Sequence, residues 1–127
     1  MAEDTGLGEL FVDENAMTDE LIKRLLLPFL GLSRSEPKII PRAEFGKLPQ
    51  TNRILLYLLA RHAMSKLNVP GATLDADSVT ISESSLVPKK TCGELLSRMK
   101  STGLIARTDS GYYIPVHSQL RVAGELE

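Results

Sequence analysis

Residues 86–116 have the sequence LVPKKTCGELLSRMKSTGLIARTDSGYYIPV, which predicts a turn, a helix and a two-stranded hairpin in succession. Within 88–100, apolar residues recur at helical spacing and predict one buried helix face, formed by Cys92, Leu95, Leu96 and Met99. Gly103 is expected to end the helix, because glycine readily takes the left-handed conformation that follows a helix. Apolar and aromatic residues at 104–106 and 112–114 predict two short strands with turn-forming residues between them.

This stretch resembles the recognition-helix segment of winged helix-turn-helix regulators. The matching residues are Thr91-Cys92 near the helix start, Leu96 and Met99 along it, and Gly103-Leu104-Ile105 leading into the hairpin. The match covers about a quarter of the chain, and about half if the preceding helix is counted. It implies an α+β fold: a winged helix-turn-helix with an N-terminal helical extension and a small antiparallel wing sheet. It does not fix the function, because winged helices also dock proteins.

The composition is that of one soluble globular domain, with 43% apolar and 24% charged residues in 127. Aromatic residues make up only 5%, and proteins that stack single-stranded nucleic acid usually carry more of them. The single cysteine cannot form an internal disulfide. No apolar run approaches the roughly 20 residues of a membrane span, and no signal peptide is visible, so a cytoplasmic location is expected.

Charge is distributed unevenly along the chain. The first 20 residues hold seven acids and no lysine or arginine, which leaves 15 basic and 9 acidic residues beyond them. An acidic leader on a body of charge +6 is typical of a nucleic-acid-binding domain with a detachable or self-competing tail. The alternative is a solvated leader that serves only solubility. The acids are Glu3, Asp4, Glu9, Asp13, Glu14, Asp19 and Glu20.

Three segments are predicted: a flexible acidic leader at 1–16, a helix with a Pro/Gly-rich connector at 17–49, and the winged-helix domain at 50–127. The first helix should begin after an N-cap at Thr18 and kink or end at Pro28. Its apolar residues occupy more than one face, so the helix must be sandwiched. Packing against a second subunit is predicted, and the alternative is that the helix folds back onto the second helix and completes a monomeric core. The predicted dimer interface consists of Ile22, Leu25, Leu26, Phe29 and Leu30.

A second helix is predicted from Gln50 or Thr51 to Leu67, with Arg53, Arg61 and Lys66 outside its buried stripe. That stripe is expected to comprise Ile54, Leu55, Leu58, Leu59, Ala63 and Leu67. Alternation around Val79 and Ile81 then predicts a short strand that pairs with the wing, followed by a single helical turn at 82–86. This leaves little room for the second helix that a winged helix normally has. The tail from 117 to 127 is expected to form a short final helix, and a short extended piece is expected at 38–40.

The predicted nucleic-acid-binding residues lie on the helix of the quoted stretch and at the start of the wing. Segment 86–107 carries five basic residues and one acid, a charge of +4. A helix that enters the major groove needs hydrogen-bond donors in its first turns, while the wing adds phosphate contacts. The outward Glu94, Gly93 and a wing tip without lysine or arginine are less typical of a DNA-binding surface, and the alternative is that these charges form an ordinary solvated helix face or a protein-docking surface. The predicted set is Lys89, Lys90, Thr91, Ser97, Arg98, Lys100 and Arg107.

Catalytic or metal-binding patterns are weak, and no enzyme activity, cofactor or metal is expected. Cys92 falls on the apolar helix face and is expected in the core, and His62 is expected to be a partly buried helix residue. Asp75 and Asp77 could flank a cation but are expected to be solvated loop acids.

The sequence thus predicts a double-stranded DNA-binding transcriptional regulator that acts as a homodimer. The alternative is a winged-helix interaction module, or assembly subunit, that binds a protein partner and not DNA.

Overall fold

The computed structural model describes residues 16–127 and shows an α+β fold. This part of the chain contains five α-helices and two separate two-stranded antiparallel sheets. None of these helices has the length and apolar character that a membrane crossing needs. The predicted leader lies outside the described residues except for Ala16. In chain order the elements are α1 (Asp19–Leu26), β1 (Leu30–Leu32), β2 (Ile39–Pro41), α2 (Gln50–Lys66), α3 (Ser78–Ser85), α4 (Lys89–Ser101), β3 (Ala106–Arg107), β4 (Tyr112–Tyr113) and α5 (Gln119–Leu126).

Helix α2 is the centre of the fold; it begins at Gln50 as predicted and ends at Lys66, one residue before the predicted Leu67. It contacts α1, α3, α5 and β4, so its middle is buried all round and not along one stripe. The predicted stripe is wrong at its C-terminal end, where Leu67 is 68% exposed. The placement of Arg53 and Arg61 on the surface is also wrong, since both are buried.

The N-terminal extension packs on α2. The Thr18 hydroxyl accepts a hydrogen bond from the Leu21 N–H, which confirms Thr18 as the N-cap of α1. The helix ends just before Pro28, and strands β1 and β2 follow as a hairpin with Gly31 opposite Ile40. The extended piece predicted at 38–40 is therefore present, shifted by one residue.

The residues predicted as a dimer interface are mostly inside the single chain. Of the five, only Phe29 is half-buried, and the other four are at most 8% exposed. These four are Ile22, Leu25, Leu26 and Leu30, and they belong to the same apolar core as α2. The excess apolar surface inferred from the sequence is thus covered within one chain, and the homodimer itself stays a prediction.

Residues 78–85 form helix α3, so the strand predicted around Val79 and Ile81 is wrong. The Asp77 carboxylate accepts a hydrogen bond from the Thr80 N–H and caps the helix, which stabilises a helix that contains four serines and a threonine. The residue that pairs with the hairpin is Ala76, which exchanges backbone hydrogen bonds with Tyr112 at 3.0 and 2.8 Å.

Two buried arginines of α2 bind the segments on either side of α3. The Arg53 guanidinium donates to four backbone carbonyls, including those of Ser85 at 2.9 Å and Leu86 at 3.2 Å. Arg61 donates to the Thr73 hydroxyl at 2.7 Å and to the Asp75 carbonyl at 2.8 Å. Leu86 lies in the left-handed region, with φ of 61°. A leucine rarely adopts this conformation, and here the Arg53 contact on its carbonyl helps to hold it.

We expect Arg53→Met to lower the free energy of unfolding by about 3 kcal/mol, because it leaves one buried and three partly buried carbonyl oxygens without this donor. Urea unfolding monitored by circular dichroism measures this difference. Arg34→Met removes an exposed arginine from the β1–β2 connection and should change stability by less than about 0.5 kcal/mol. Equal unfolding midpoints for the two variants would show that the Arg53 contacts contribute no stability.

A polar chain of contacts links the start of α1 to α5 and α2. The Met17 N–H donates to Gln119 Oε1 at 2.7 Å, and Gln119 Nε2 lies 3.4 Å from His62 Nε2. Since the Gln119 oxygen already accepts a hydrogen bond, its amide NH₂ faces the ring, and His62 Nε2 must accept. This requires neutral His62 protonated at Nδ1. Burial, and secondarily the charge of Lys66, lower the pKa of His62 in agreement with this arrangement.

Stability should therefore fall in mild acid. Because the pKa of His62 is lowered on folding, the unfolded chain binds the proton more readily, and stability decreases once the pH drops below about 6.5. His62→Gln should show a smaller loss of unfolding free energy between about pH 7.5 and about pH 5.5 than the unmodified chain. His117→Gln, which removes the other, exposed histidine, is the control. An unchanged pH dependence in His62→Gln would contradict this assignment.

Candidate nucleic-acid interface

Helix α4 has one buried face and one outward face. Cys92, Leu96 and Met99 are at most 4% exposed and pack toward α3, which in turn packs on α2. The opposite face is open to solvent and is formed by Lys90, Gly93, Glu94, Ser97 and Ser101. Three of these five residues have small side chains, so a ligand can approach the helix backbone closely along this face.

The ends of α4 are fixed by local chemistry. Val87 is buried, and Pro88 directly before the helix needs no amide hydrogen, so it suits this position. At the other end, Gly103 adopts φ of 84° and its N–H donates to Lys100. The Leu104 N–H donates to Met99, which completes a Schellman motif. The glycine stop predicted from the sequence is confirmed.

Hairpin β3–β4 follows at once, with Arg107 opposite Tyr112. The Arg107 guanidinium lies 5.5 Å from the centre of the Tyr112 ring, a cation–π distance. The Thr108 hydroxyl accepts from the N–H groups of Ser110 and Gly111 and donates to the Asp75 carboxylate. These contacts hold the hairpin against the segment that precedes α3.

The predicted nucleic-acid-binding residues lie on helix α4 and on strand β3, the first strand of the hairpin. Six of the seven are exposed, and Thr91 is half-buried. On α4 they are distributed around the outward half, with Lys89 and Lys100 on one flank and Arg98 on the other. Sequence reasoning missed Ser101, which continues the outward face one residue past the predicted helix end. The helical period extended by one further residue would have found it.

The cations of α4 and β3 have no carboxylate partner among residues 16–127. The four ion pairs in this part of the chain all lie elsewhere: Arg24–Glu127, Lys38–Glu36, Lys47–Glu44 and Lys66–Asp19. Five positive charges therefore remain unneutralised by ion pairs in the described structure: Lys89, Lys90, Arg98, Lys100 and Arg107.

Groups with catalytic chemistry have structural roles here. Cys92 is fully buried, as predicted, and burial raises the pKa of its thiol, so the nucleophilic thiolate is disfavoured. Asp77 caps α3, and hydrogen bonds from Thr80 lower the pKa of its carboxyl. Within residues 16–127, no group of three His, Cys, Asp or Glu side chains is arranged to hold a metal ion.

Comparison with protein families, with curated proteins and with solved structures finds no match to this chain. The geometry of α4 and hairpin β3–β4 is therefore the basis on which a function can be proposed.

The hairpin provides a test of how this interface is held in place. A Cβ at Gly111, where φ is 153°, would lie 2.2 Å from the Ala76 carbonyl oxygen, whereas a Cβ at Gly93 would meet no atom within 4 Å. Gly111→Ala should therefore disrupt the Ala76–Tyr112 contact and lower the melting temperature. Gly93→Ala should raise it, because alanine is better in a helix interior by about 0.8–1 kcal/mol. A melting temperature of Gly111→Ala at or above the wild-type value would show that the hairpin is not packed in this way.

Proposed function

We propose that this chain is a winged helix-turn-helix protein that binds double-stranded DNA through α4 and hairpin β3–β4, as a small transcriptional regulator. In this assignment α3 and α4 are the helix-turn-helix, and the hairpin is the wing. The observation that carries the proposal is the cluster of five exposed cations without carboxylate partners in the described chain. Exposed cations that no protein group neutralises are suited to phosphate contacts, which supply most non-specific DNA affinity.

The outward face of α4 fits the requirements of a helix in the major groove. A helix of 13 residues is about 20 Å long, and the groove is about 12 Å wide, enough to admit a helix. Gly93, Ser97 and Ser101 have small or no side chains at the centre of this face, so the helix backbone can approach the base edges closely. Lys90 and Ser97 supply donors, and Glu94 supplies an acceptor for a cytosine amino group.

The remaining cations are placed to position the helix. Lys89 and Lys100 lie on one flank of α4, and Arg98 lies on the other, where the two DNA backbones would run. Arg107 on the first strand of the hairpin extends the positive surface beyond the helix. Its stacking on Tyr112 restricts the guanidinium and lowers the entropy lost when it binds a phosphate.

A second candidate function is docking of a protein partner on the same face. It is favoured by the hairpin tip, Asp109-Ser110-Gly111, which offers no cation, and by the outward carboxylate of Glu94. The two functions differ in their salt dependence. Binding through several phosphate contacts weakens steeply as salt rises, whereas a docking module has little affinity for duplex DNA at any salt concentration.

We expect the double variant Lys89→Ala, Lys90→Ala to bind duplex DNA more weakly. If both lysines contact phosphates, the slope of log K against log salt should become shallower by about two units, since each phosphate contact contributes roughly 0.9. Fluorescence anisotropy with a labelled random-sequence duplex, at several salt concentrations, measures both quantities.

The matched control is Arg34→Ala with Lys38→Ala, which removes two exposed positive charges from the β1–β2 connection. Net charge changes equally in the two double variants, so the comparison separates local contacts from overall electrostatics. Equal losses in both would argue against α4 as the contact surface. Absence of duplex binding by the unmodified chain at low salt would favour the docking function.

A further inference from the structure

An open apolar groove lies between α1, β1 and the C-terminal end of α2, with a volume of about 540 Å³. Its walls are hydrocarbon: Ile22 and Leu26 of α1, Leu32 of β1 and Ala63 of α2 line it, together with Leu27 and Leu67, which directly follow α1 and α2. Two of these residues are unusually exposed for leucine, Leu27 at 52% and Leu67 at 68%. The volume falls within the range of about 300–1,000 Å³ that is typical of small-molecule sites.

The polar groups at this groove have one predominant sign. Lys23, Lys66 and Asp19 line it beside the apolar walls. Asp19 is already bound to Lys66, with the carboxylate 2.5 Å from the ammonium nitrogen, so these two charges largely cancel. Lys23 forms no ion pair with any carboxylate of residues 16–127. Within the described structure, the groove therefore offers an apolar surface and one positive charge that has no ion-pair partner.

A small ligand fits this arrangement better than a protein surface does. Eleven of the described residues line the groove, whereas a specific protein interface uses about 20–30 residues on each side. The surface beside it carries exposed charged side chains, including Glu20 and Arg24. A small apolar patch bounded by charge suits a ligand with a hydrocarbon body and a single charged end.

We propose that this groove binds an amphipathic carboxylic acid, with its aliphatic chain against Leu27, Leu32 and Leu67 and its carboxylate beside Lys23. The inference is independent of the proposed DNA-binding function. Lys66 at the groove lies thirteen residues after Arg53, which places the groove about 20 Å along α2 from the contacts that hold the turn before α4. Ligand binding is therefore measurable without DNA.

Methyl NMR of the full chain, labelled at leucine methyl groups and titrated with decanoate below its micelle concentration, tests the proposal. Signals of Leu27, Leu32 and Leu67 should shift together and saturate at one equivalent. Leu86 and Leu120 are 57% and 44% exposed but lie outside the groove, so their signals should stay in place. Equal, non-saturating shifts at all exposed leucines would overturn the proposal, since they indicate adsorption to apolar surface.

The charged end is tested with ligands that share the same chain length. Decanoate should bind about two- to fivefold more tightly than decanol, the range of an exposed ion pair, and decylamine should bind more weakly than decanol. Lys23→Met should remove the advantage of decanoate over decanol, whereas Lys38→Met should preserve it. Equal affinities for decanoate and decanol in the unmodified chain would overturn the role of Lys23.

Groove-filling variants test the location. Ala63→Phe should abolish the saturable shifts. Leu67→Asp should do the same, and because Leu67 is mostly exposed this variant changes the groove wall without altering the core. Two results would assign the groove another occupant and overturn the proposal. One is decanoate binding that is seen only after Leu10→Ser with Phe11→Ser, which indicates the chain's own leader. The other is a dependence of the Leu27 and Leu67 signals on protein concentration, which indicates a second copy.

Discussion

Two buried guanidinium groups on α2 determine where α3 begins and ends, and the position of α4 depends on both. Arg61 binds Thr73 and Asp75 before the helix, and Arg53 binds Ser85 and Leu86 after it. A buried cation needs hydrogen-bond acceptors to offset its desolvation. Here those acceptors are mainly backbone carbonyls. One of them is the carbonyl of Ser85 at the C-terminal end of α3, where the helix dipole places a partial negative charge. The chain around α3 is therefore held by charge–dipole interactions as well as by apolar packing.

This constraint explains how a short, serine-rich helix can support an exposed surface. Helix α3 has only eight residues, and five of them are serine or threonine, so its own propensity for helix is low. The Asp77 cap and the two arginines fix its ends, and Ile81, which is fully buried, anchors its middle. Helix α4 then packs on α3, and its polar face is exposed in the part of the chain that the structure describes. Residues on that face can be chosen for a ligand without loss of the fold.

The sequence predicts the elements with strong local signals and misses those set by tertiary contacts. The start of α2, the Thr18 cap, the Gly103 stop and the buried face of α4 follow from periodicity and end chemistry, and the structure confirms them. The strand predicted around Val79 fails because two alternating apolar residues are too few to define a strand period; in α3 they lie on different sides of the helix, with Val79 43% exposed and Ile81 buried. Only the Asp77 cap and the arginine contacts favour the helix, and an arginine in a helical pattern is ordinarily assigned to the surface. The apolar excess of α1 predicts a partner subunit, because nothing in the sequence shows that α2 can be covered on every side.

Two of the N-terminal acids that the sequence places in the acidic leader region belong to the folded domain. Two of the seven acids in the first 20 residues, Asp19 and Glu20, form the first turn of α1, where negative charge favours the helix N-terminus. Asp19 is also paired with Lys66, about 20 Å along α2 from Arg53. Exposed charges separated by more than about 8 Å are largely screened at physiological salt. These acids therefore do little to offset the +4 charge of residues 86–107. A chain with a net charge of −1 can in this way present a locally positive surface, because the field near α4 depends on its immediate neighbours and not on the total charge.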